Sequence, residues 1–256
     1  MTARFDAAVV ADIIRDAATS EVMPRFQNLS AGQIREKKPG QLVTEADVAA
    51  EQVLSRRLLD LVPGASVVGE EGVDAAPHLL HALDHPGTVW IIDPVDGTAN
   101  FAKGNPRFGI IVALAVNGET VAGWIYDPVS QRMLIAEAGA GAWIGEERLS
   151  VLPPTPLERM TGSVKRTGRI ASQVAKVGRK GSAAHDYIDL VTGKLHFAHY
   201  AQLMPWDHAA GVLIHAEAGG YSRLLTNQPY RPVTSESALL LAPSEGAWAS
   251  LRFLID

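Results

Sequence analysis

Two acids stand three residues apart at the end of an apolar run: Val89-Trp90-Ile91-Ile92-Asp93-Pro94-Val95-Asp96-Gly97-Thr98-Ala99-Asn100-Phe101. A carboxylate at the end of a buried strand is costly to desolvate without a partner, so this pattern predicts a positive charge beside it. Carboxylate and carbonyl oxygens suit a hard divalent ion such as Mg²⁺, which keeps several waters. Pro94 fixes one backbone angle, and a bend there can aim Asp93, Asp96 and the Val95 carbonyl at one point. The Gly97-Thr98 step then offers amides and a hydroxyl to an anion. A cation site next to an amide cradle points to phosphate chemistry.

Further acids lie where elements are predicted to begin or end. Glu70-Glu71 follow Val67-Val68-Gly69, Asp47 falls in the first turn of a helix, and Asp207 opens another helix after Trp206. Read as extended chain, Glu70 and Glu71 point to opposite faces, which makes Glu70 the candidate ligand of the two. Each acid taken alone fits a blander role. Asp47 and Asp207 suit helix starts, Glu70-Glu71 suits a solvated loop, and Asp-Pro-Val-Asp-Gly suits a turn. Their joint appearance with a second signature favours a site: Trp206-Asp207-His208-Ala209-Ala210-Gly211, followed by Glu217-Ala218-Gly219-Gly220. The small residues of that helix permit close packing, which brings Asp207 to the sheet bearing Asp93.

With these motifs the chain resembles the inositol monophosphatase family of Mg²⁺-dependent, lithium-sensitive phosphatases, from its first helix to its last. Leu42-Val43-Thr44-Glu45-Ala46-Asp47 and Gly181-Ser182-Ala183-Ala184 also match family segments. The resemblance implies a five-layered α-β-α-β-α sandwich, usually a homodimer, with two or three Mg²⁺ ions. By position it implies that Glu70, Asp93 and the Val95 carbonyl hold one ion and that Asp93, Asp96 and Asp207 hold a second. Glu70 helps hold a looser third through water. Thr98, backed by Asp47, orients the attacking water. Asp96, Gly97 and Thr98 lie at the phosphate, and Gly181, Ser182 and Ala183 lie near the organic part of the substrate.

The family usually has an acid shortly before its Trp-Asp pair, in contact with substrate hydroxyls. Here His199-Tyr200-Ala201-Gln202-Leu203-Met204-Pro205 contains no carboxylate, and the segment from Gly145 to Ser182 is shortened. Both departures fall on the substrate side. They bear on inositol selectivity and not on the metal site: inositol monophosphate comes first as the expected substrate, with histidinol phosphate, fructose 1,6-bisphosphate and 3′-phosphoadenosine 5′-phosphate as alternatives. A rival of another class is a lapsed enzyme that binds a phosphorylated metabolite or a partner protein. Such a chain should have lost acids, and this one keeps them.

The elements that must position these residues follow from periodicity. Phe5, Val9, Ile13 and Ala17 recur at helical spacing, and Pro24 ends that helix. Lys37 to Gln41 reads as a polar loop. A second helix starts at Thr44, with Asp47 completing a variant capping box, and stops at Pro63-Gly64. Strands are predicted at Ser66–Gly69 and Thr88–Ile92, and on either side of the hairpin signal Asn117-Gly118. Met133–Ala136 and Gly141–Ile144 extend that meander. Beyond Gly145 short strands and helices alternate, with helices over Ser182–Val191, Trp206–Ala218 and Glu245–Ile255. The expected organisation is an α+β part over residues 1–145 and an α/β part over 146–256, packed as one catalytic unit.

Composition bounds the function. The 256 residues are 47% hydrophobic and 20% charged, with formal net charge −5, which leaves no electrostatic footprint for nucleic acid. The basic stretch Lys165-Arg166-Thr167-Gly168-Arg169, with Lys176, Arg179 and Lys180, is either a solvated surface or a rim that steers an anionic substrate. There are no cysteines, so disulfides, thiolate metal sites and Cys nucleophiles are excluded. The charged N-terminus lacks a signal-peptide core. No apolar run approaches the roughly 20 residues that span a bilayer. The expected location is the cytoplasm, and the expected partner is a small phosphorylated metabolite.

Overall fold

The computed structural model describes residues 5–164 and 168–255. Lys165, Arg166 and Thr167 of the basic stretch lie outside the described residues. In chain order the elements are α1 (Ala7–Ala17), β1 (Ile34–Lys38), β2 (Gln41–Thr44), α2 (Glu45–Leu61), β3 (Ser66–Gly69), α3 (Glu70–Ala75), β4 (Thr88–Asp96) and α4 (Thr98–Ala102). There follow β5 (Gly109–Val116), β6 (Glu119–Asp127), β7 (Arg132–Glu137), β8 (Gly141–Ile144) and β9 (Glu147–Arg148). The chain ends with β10 (Thr161–Val164), β11 (Lys176–Gly178), α5 (Ala183–Val191), β12 (Phe197–Tyr200), α6 (Pro205–Glu217), β13 (Tyr221–Leu224), β14 (Leu239–Ala242) and α7 (Glu245–Arg252).

Three sheets form. A seven-stranded sheet runs β3-β4-β5-β6-β7-β8-β9, antiparallel except for the parallel β3–β4 pair. A five-stranded sheet runs β11-β10-β12-β14-β13 and mixes parallel and antiparallel neighbours. β1 and β2 pair as a separate hairpin.

Alternation along the strands sorts the apolar residues into layers. Trp90 and Ile92 of β4 face α1 and α2, where they pack with Val10, Ile14, Leu54 and Leu58. Val89 and Ile91 face the other way, onto α5 and α6. Those two helices also cover Ala198, Tyr200 and Leu241 of the five-stranded sheet. The far face of that sheet, with Phe197 and Leu240, packs on Trp248 and Leu251 of α7. The result is an α-β-α-β-α stack. Among the described residues no helix is long and apolar enough to cross a membrane.

The interlayer contact depends on small residues, as the sequence of α6 suggests. A Cβ on Gly123 of β6 would come within 2.8 Å of the Ala210 Cα, and one on Gly211 would meet the Tyr187 ring at 2.2 Å. A side chain on Gly123 would push α6 off the sheet, and one on Gly211 would push it off Tyr187 of α5, either of which would carry Asp207 with it.

Two local expectations are corrected. Residues 37–41 do not form a loop: β1 continues to Lys38, and only Pro39 and Gly40 turn, with Gly40 at φ 81. The charged run Arg35-Glu36-Lys37-Lys38 carries no strand signature, because this hairpin is held by ion pairs beyond itself. Glu70 and Glu71 are not extended either. They form the first turn of α3, so helical rather than alternating geometry directs both.

Gly123→Ala tests the close approach. It should lower stability by about 1–3 kcal/mol, the usual cost of overpacking, read as a drop in the thermal midpoint. An unchanged midpoint contradicts the packing described.

Candidate metal and phosphate site

The site begins with the irregularity in β4. The register to β5 shifts between Asp93, opposite Ile111, and Asp96, opposite Gly109. The one extra residue falls at Pro94-Val95, which cannot keep a regular ladder because proline lacks an amide hydrogen. The bulge brings both acids to one end of the strand. Asp93 Oδ1 accepts the Val95 amide at 3.1 Å. Gly97 then turns the chain at φ 86, and a Cβ there would lie 3.0 Å from the Arg107 carbonyl oxygen. α4 starts at once.

Asp96 is fixed from the second sheet's side of the molecule. Its carboxylate accepts the Ser182 hydroxyl, the Ala183 amide at 3.0 Å and the Ala184 amide at 2.8 Å. These are the cap and first amides of α5, where a negative charge is favoured. Ser182 and Ala183 are therefore engaged with Asp96, and Gly181 alone of the three lines the cavity. Asp207 arrives from the first turn of α6. One oxygen from each of Asp93, Asp96 and Asp207 lies within 4.8 Å of the others.

Glu70 lines the same cavity but stands outside that triad, because Lys37 of the β1–β2 hairpin holds it. The Lys37 ammonium lies 3.3 Å from Glu70 and 2.6 Å from Glu71, with its side chain only 7% exposed. Nothing in the pattern of β1 pointed to Lys37. The signal that could have found it is the pair of adjacent acids itself, which needs a cation when buried.

A second set of contacts runs from α2. The Thr44 side chain accepts the Ala46 amide at 3.2 Å, and Asp47 Oδ2 accepts the Thr44 amide at 2.9 Å and its hydroxyl at 2.6 Å. That leaves Asp47 Oδ1 facing Thr98. The Thr98 hydroxyl lies 3.1 Å from Asp47 Oδ1 and 3.1 Å from the Val95 carbonyl oxygen, and can donate to either. Gly97, Thr98 and Ala99 line the cavity together with Asp93, Val95, Asp96 and Asp207, a space of about 600 Å³.

The electrostatics of the cluster are one-signed. Desolvation, then repulsion from Glu70, Asp96, Asp207 and Asp47, raises the Asp93 carboxyl well above the usual range. Desolvation and Asp96 push Asp207 to about 7. Desolvation, with Asp207, Glu71 and Asp47, pushes Glu70 to about 8 against the pull of Lys37. Asp96 rises too, chiefly by desolvation, despite its three donors. Asp47 is lifted to about 6, mainly by desolvation.

The donor set fits a hard divalent cation. It offers carboxylate oxygens and the Val95 carbonyl, with no thiolate and no imidazole among the triad. His208 is drawn away from it: its ring nitrogens lie 3.1 Å from the Tyr187 hydroxyl and 3.3 Å from the Gln202 carbonyl oxygen. Tyr200 is likewise a core residue, hydrogen-bonded to Asp186 at 3.3 Å and stacked on Tyr187.

Comparison with known proteins agrees with this geometry. Residues 6–253 match the inositol monophosphatase family. An inositol-1-monophosphatase of Bacillus subtilis is 31% identical over 219 residues, which cover 80% of this chain and 81% of that protein. A fructose-1,6-bisphosphatase/inositol-1-monophosphatase of Thermotoga maritima is 35% identical, covering 72% of this chain and 73% of the relative. The solved structure of a Thermotoga maritima IMPase superposes with TM-score 0.81 at 26% identity, covering 96% of this chain and 94% of that one.

The raised carboxyl pKa values predict a sign. Glu70 and Asp207 have ordinary values of 4.5 and 3.8 and folded values of about 8 and about 7. The folded state thus loses stability as pH climbs between those limits, because the unfolded chain ionises more readily. In EDTA at pH 8, Asp207→Asn should melt above the wild type, and Mg²⁺ should raise the midpoint of the wild type far more than that of the variant. Equal stabilisation of both proteins by Mg²⁺ contradicts the assignment of Asp207.

Proposed function

This chain belongs to the inositol monophosphatase family, and from that premise we propose that it is a Mg²⁺-dependent phosphatase of small phosphomonoesters, with inositol monophosphate as leading substrate. The observation that supports this reading best is the meeting of Asp93, Asp96 and Asp207 within 4.8 Å, beside the Thr98–Asp47 pair. Asp93, Asp96, Asp207 and the Val95 carbonyl would hold Mg²⁺, with Glu70 joining once released from Lys37. When bound, Mg²⁺ supplies positive charge against the phosphate dianion and lowers the pKa of a coordinated water.

The chain's own residues do the rest. Thr98 accepts a hydrogen bond from the attacking water while its hydroxyl proton is held by Asp47 Oδ1. Asp47 suits that task because Thr44 occupies its other oxygen, so one lone pair faces one donor. The opening turn of α4, at Gly97 and Thr98, receives the phosphate oxygens through its amides. In-line displacement then rests on position and electrostatics, with no covalent intermediate required.

One observation favours a second reading of the substrate. The Arg179 guanidinium stands 5.5 Å from the Tyr200 ring centroid, beside a window without carboxylates; its charge is felt at Asp186 and Asp207, but among the described residues it closes no direct ion pair with either. A cation at that place suits a phosphomonoester whose alcohol bears a second acidic group, such as fructose 1,6-bisphosphate or 3′-phosphoadenosine 5′-phosphate. A kcat/KM panel of inositol monophosphate, histidinol phosphate and these bisphosphates decides between the two. Inositol monophosphate leading, with Arg179→Ala neutral, supports the first reading. A bisphosphate leading, with loss in Arg179→Ala, supports the second.

For the phosphatase reading itself, phosphate release should require Mg²⁺ and cease in EDTA. Asp93→Asn should abolish turnover in a folded protein, and Thr98→Ala should lower kcat more than it raises KM. Near-wild-type kcat in Asp93→Asn at saturating Mg²⁺ would falsify the role given to Asp93.

A further inference from the structure

A second buried acid on α2 takes no part in the chemistry described. Glu51 is 8% exposed and lies one turn beyond Asp47 on the same helix. Its Oε2 accepts the Glu71 amide at 2.8 Å and its Oε1 accepts the Gly72 amide at 2.7 Å. These are the second and third residues of α3, whose first turn leaves amides without helical partners. The residue that would ordinarily cap them is Gly69, which makes no side-chain cap. It has no room to do so: a Cβ on Gly69 would lie 2.4 Å from the Glu51 carboxyl carbon. The cap of α3 has thus been moved to a different helix.

We propose that Glu51 is a positioning residue that sets cation affinity: by anchoring the first turn of α3 it holds the Glu70 carboxylate at the cavity. The inference rests on the phosphatase reading above. Its physical reason is the direction of Glu70. As the first residue of α3, Glu70 has a side-chain direction set by the same turn whose next two amides Glu51 grips. Both Glu51 oxygens are occupied by amides, so Glu51 is not itself available as a ligand. α2 then serves both halves of the site from one face, Asp47 fixing Thr98 and Glu51 fixing Glu70. Burial pushes the Glu51 carboxyl up to about 7 against the pull of those two amides; once ionised, a carboxylate does this better than a neutral group, since it accepts two charge-assisted bonds at once. Glutamine offers one acceptor oxygen and turns an NH₂ toward the other amide.

The test uses Glu51→Gln and Gly69→Ala, which disturb the same contact from opposite sides. Three quantities are read: Mg²⁺ affinity by calorimetry, kcat at saturating Mg²⁺, and hydrogen exchange of the Glu71 and Gly72 amides in EDTA. Loss of a group that orients a ligand typically weakens metal binding 10–100-fold. The expected result is about a tenfold weaker Mg²⁺ affinity, kcat within about threefold of wild type, and faster exchange at those two amides. A lower melting point with Mg²⁺ affinity unchanged reduces Glu51 to a structural acid and overturns the proposal, as does unchanged exchange. Wild-type protein that takes up no Mg²⁺ sinks the phosphatase reading and the claim on cation affinity with it. The exchange rates then still show whether Glu51 anchors α3.

Discussion

Mutual repulsion among buried carboxylates is the constraint on which this molecule turns. Two unit charges about 4–5 Å apart at an effective dielectric near 20 repel by about 3–4 kcal/mol. Three such pairs, among Asp93, Asp96 and Asp207, approach the whole stability of a typical fold, about 5–15 kcal/mol. The folded chain tolerates them only by holding protons in the cluster or by admitting a cation. The upward shift of the Asp93 and Asp207 carboxyls marks the first solution. The oxygen-only donor set is suited to the second.

The surrounding architecture keeps the acids from moving apart. Asp96 is tied to the opening of α5 by the Ser182 hydroxyl and two amides. Asp207 is pressed toward β4 because α6 meets β6 through Gly123 and Ala210, where no larger residue fits. Asp93 is set by the bulge at Pro94-Val95. Asp93 and Asp96 come from β4 and Asp207 from α6, and each acid is held by contacts of its own. Lys37 gives Glu70 and Glu71 a partner from a hairpin that is otherwise peripheral.

Much of this was legible in the sequence, for a definite reason. Apolar alternation and the turn signals Pro63-Gly64, Asn117-Gly118 and Gly219-Gly220 act locally, so the major helices and strands could be placed from neighbours alone. Thr44 and Asp47 form the expected capping box. What escaped was set by distant partners. β1 has no apolar alternation, and its order depends on acids more than thirty residues away. Glu51 looks like an ordinary helix-face glutamate until α3 is folded against it. Ser182 and Ala183 read as substrate neighbours by resemblance, whereas in three dimensions their donors are directed at Asp96. The missing carboxylate before Trp206 was plain in the sequence, but Arg179 above the Tyr200 ring emerged only once β11 and β12 were placed in one sheet.

The claim beneath all of this is that acids remote in sequence make one place for a cation. Anomalous diffraction from crystals soaked in Mn²⁺, a close substitute for Mg²⁺, tests it most directly. A strong peak is expected in contact with the Asp93, Asp96 and Asp207 carboxylates. A well-ordered site with no peak there, or with ions only elsewhere on the surface, contradicts it.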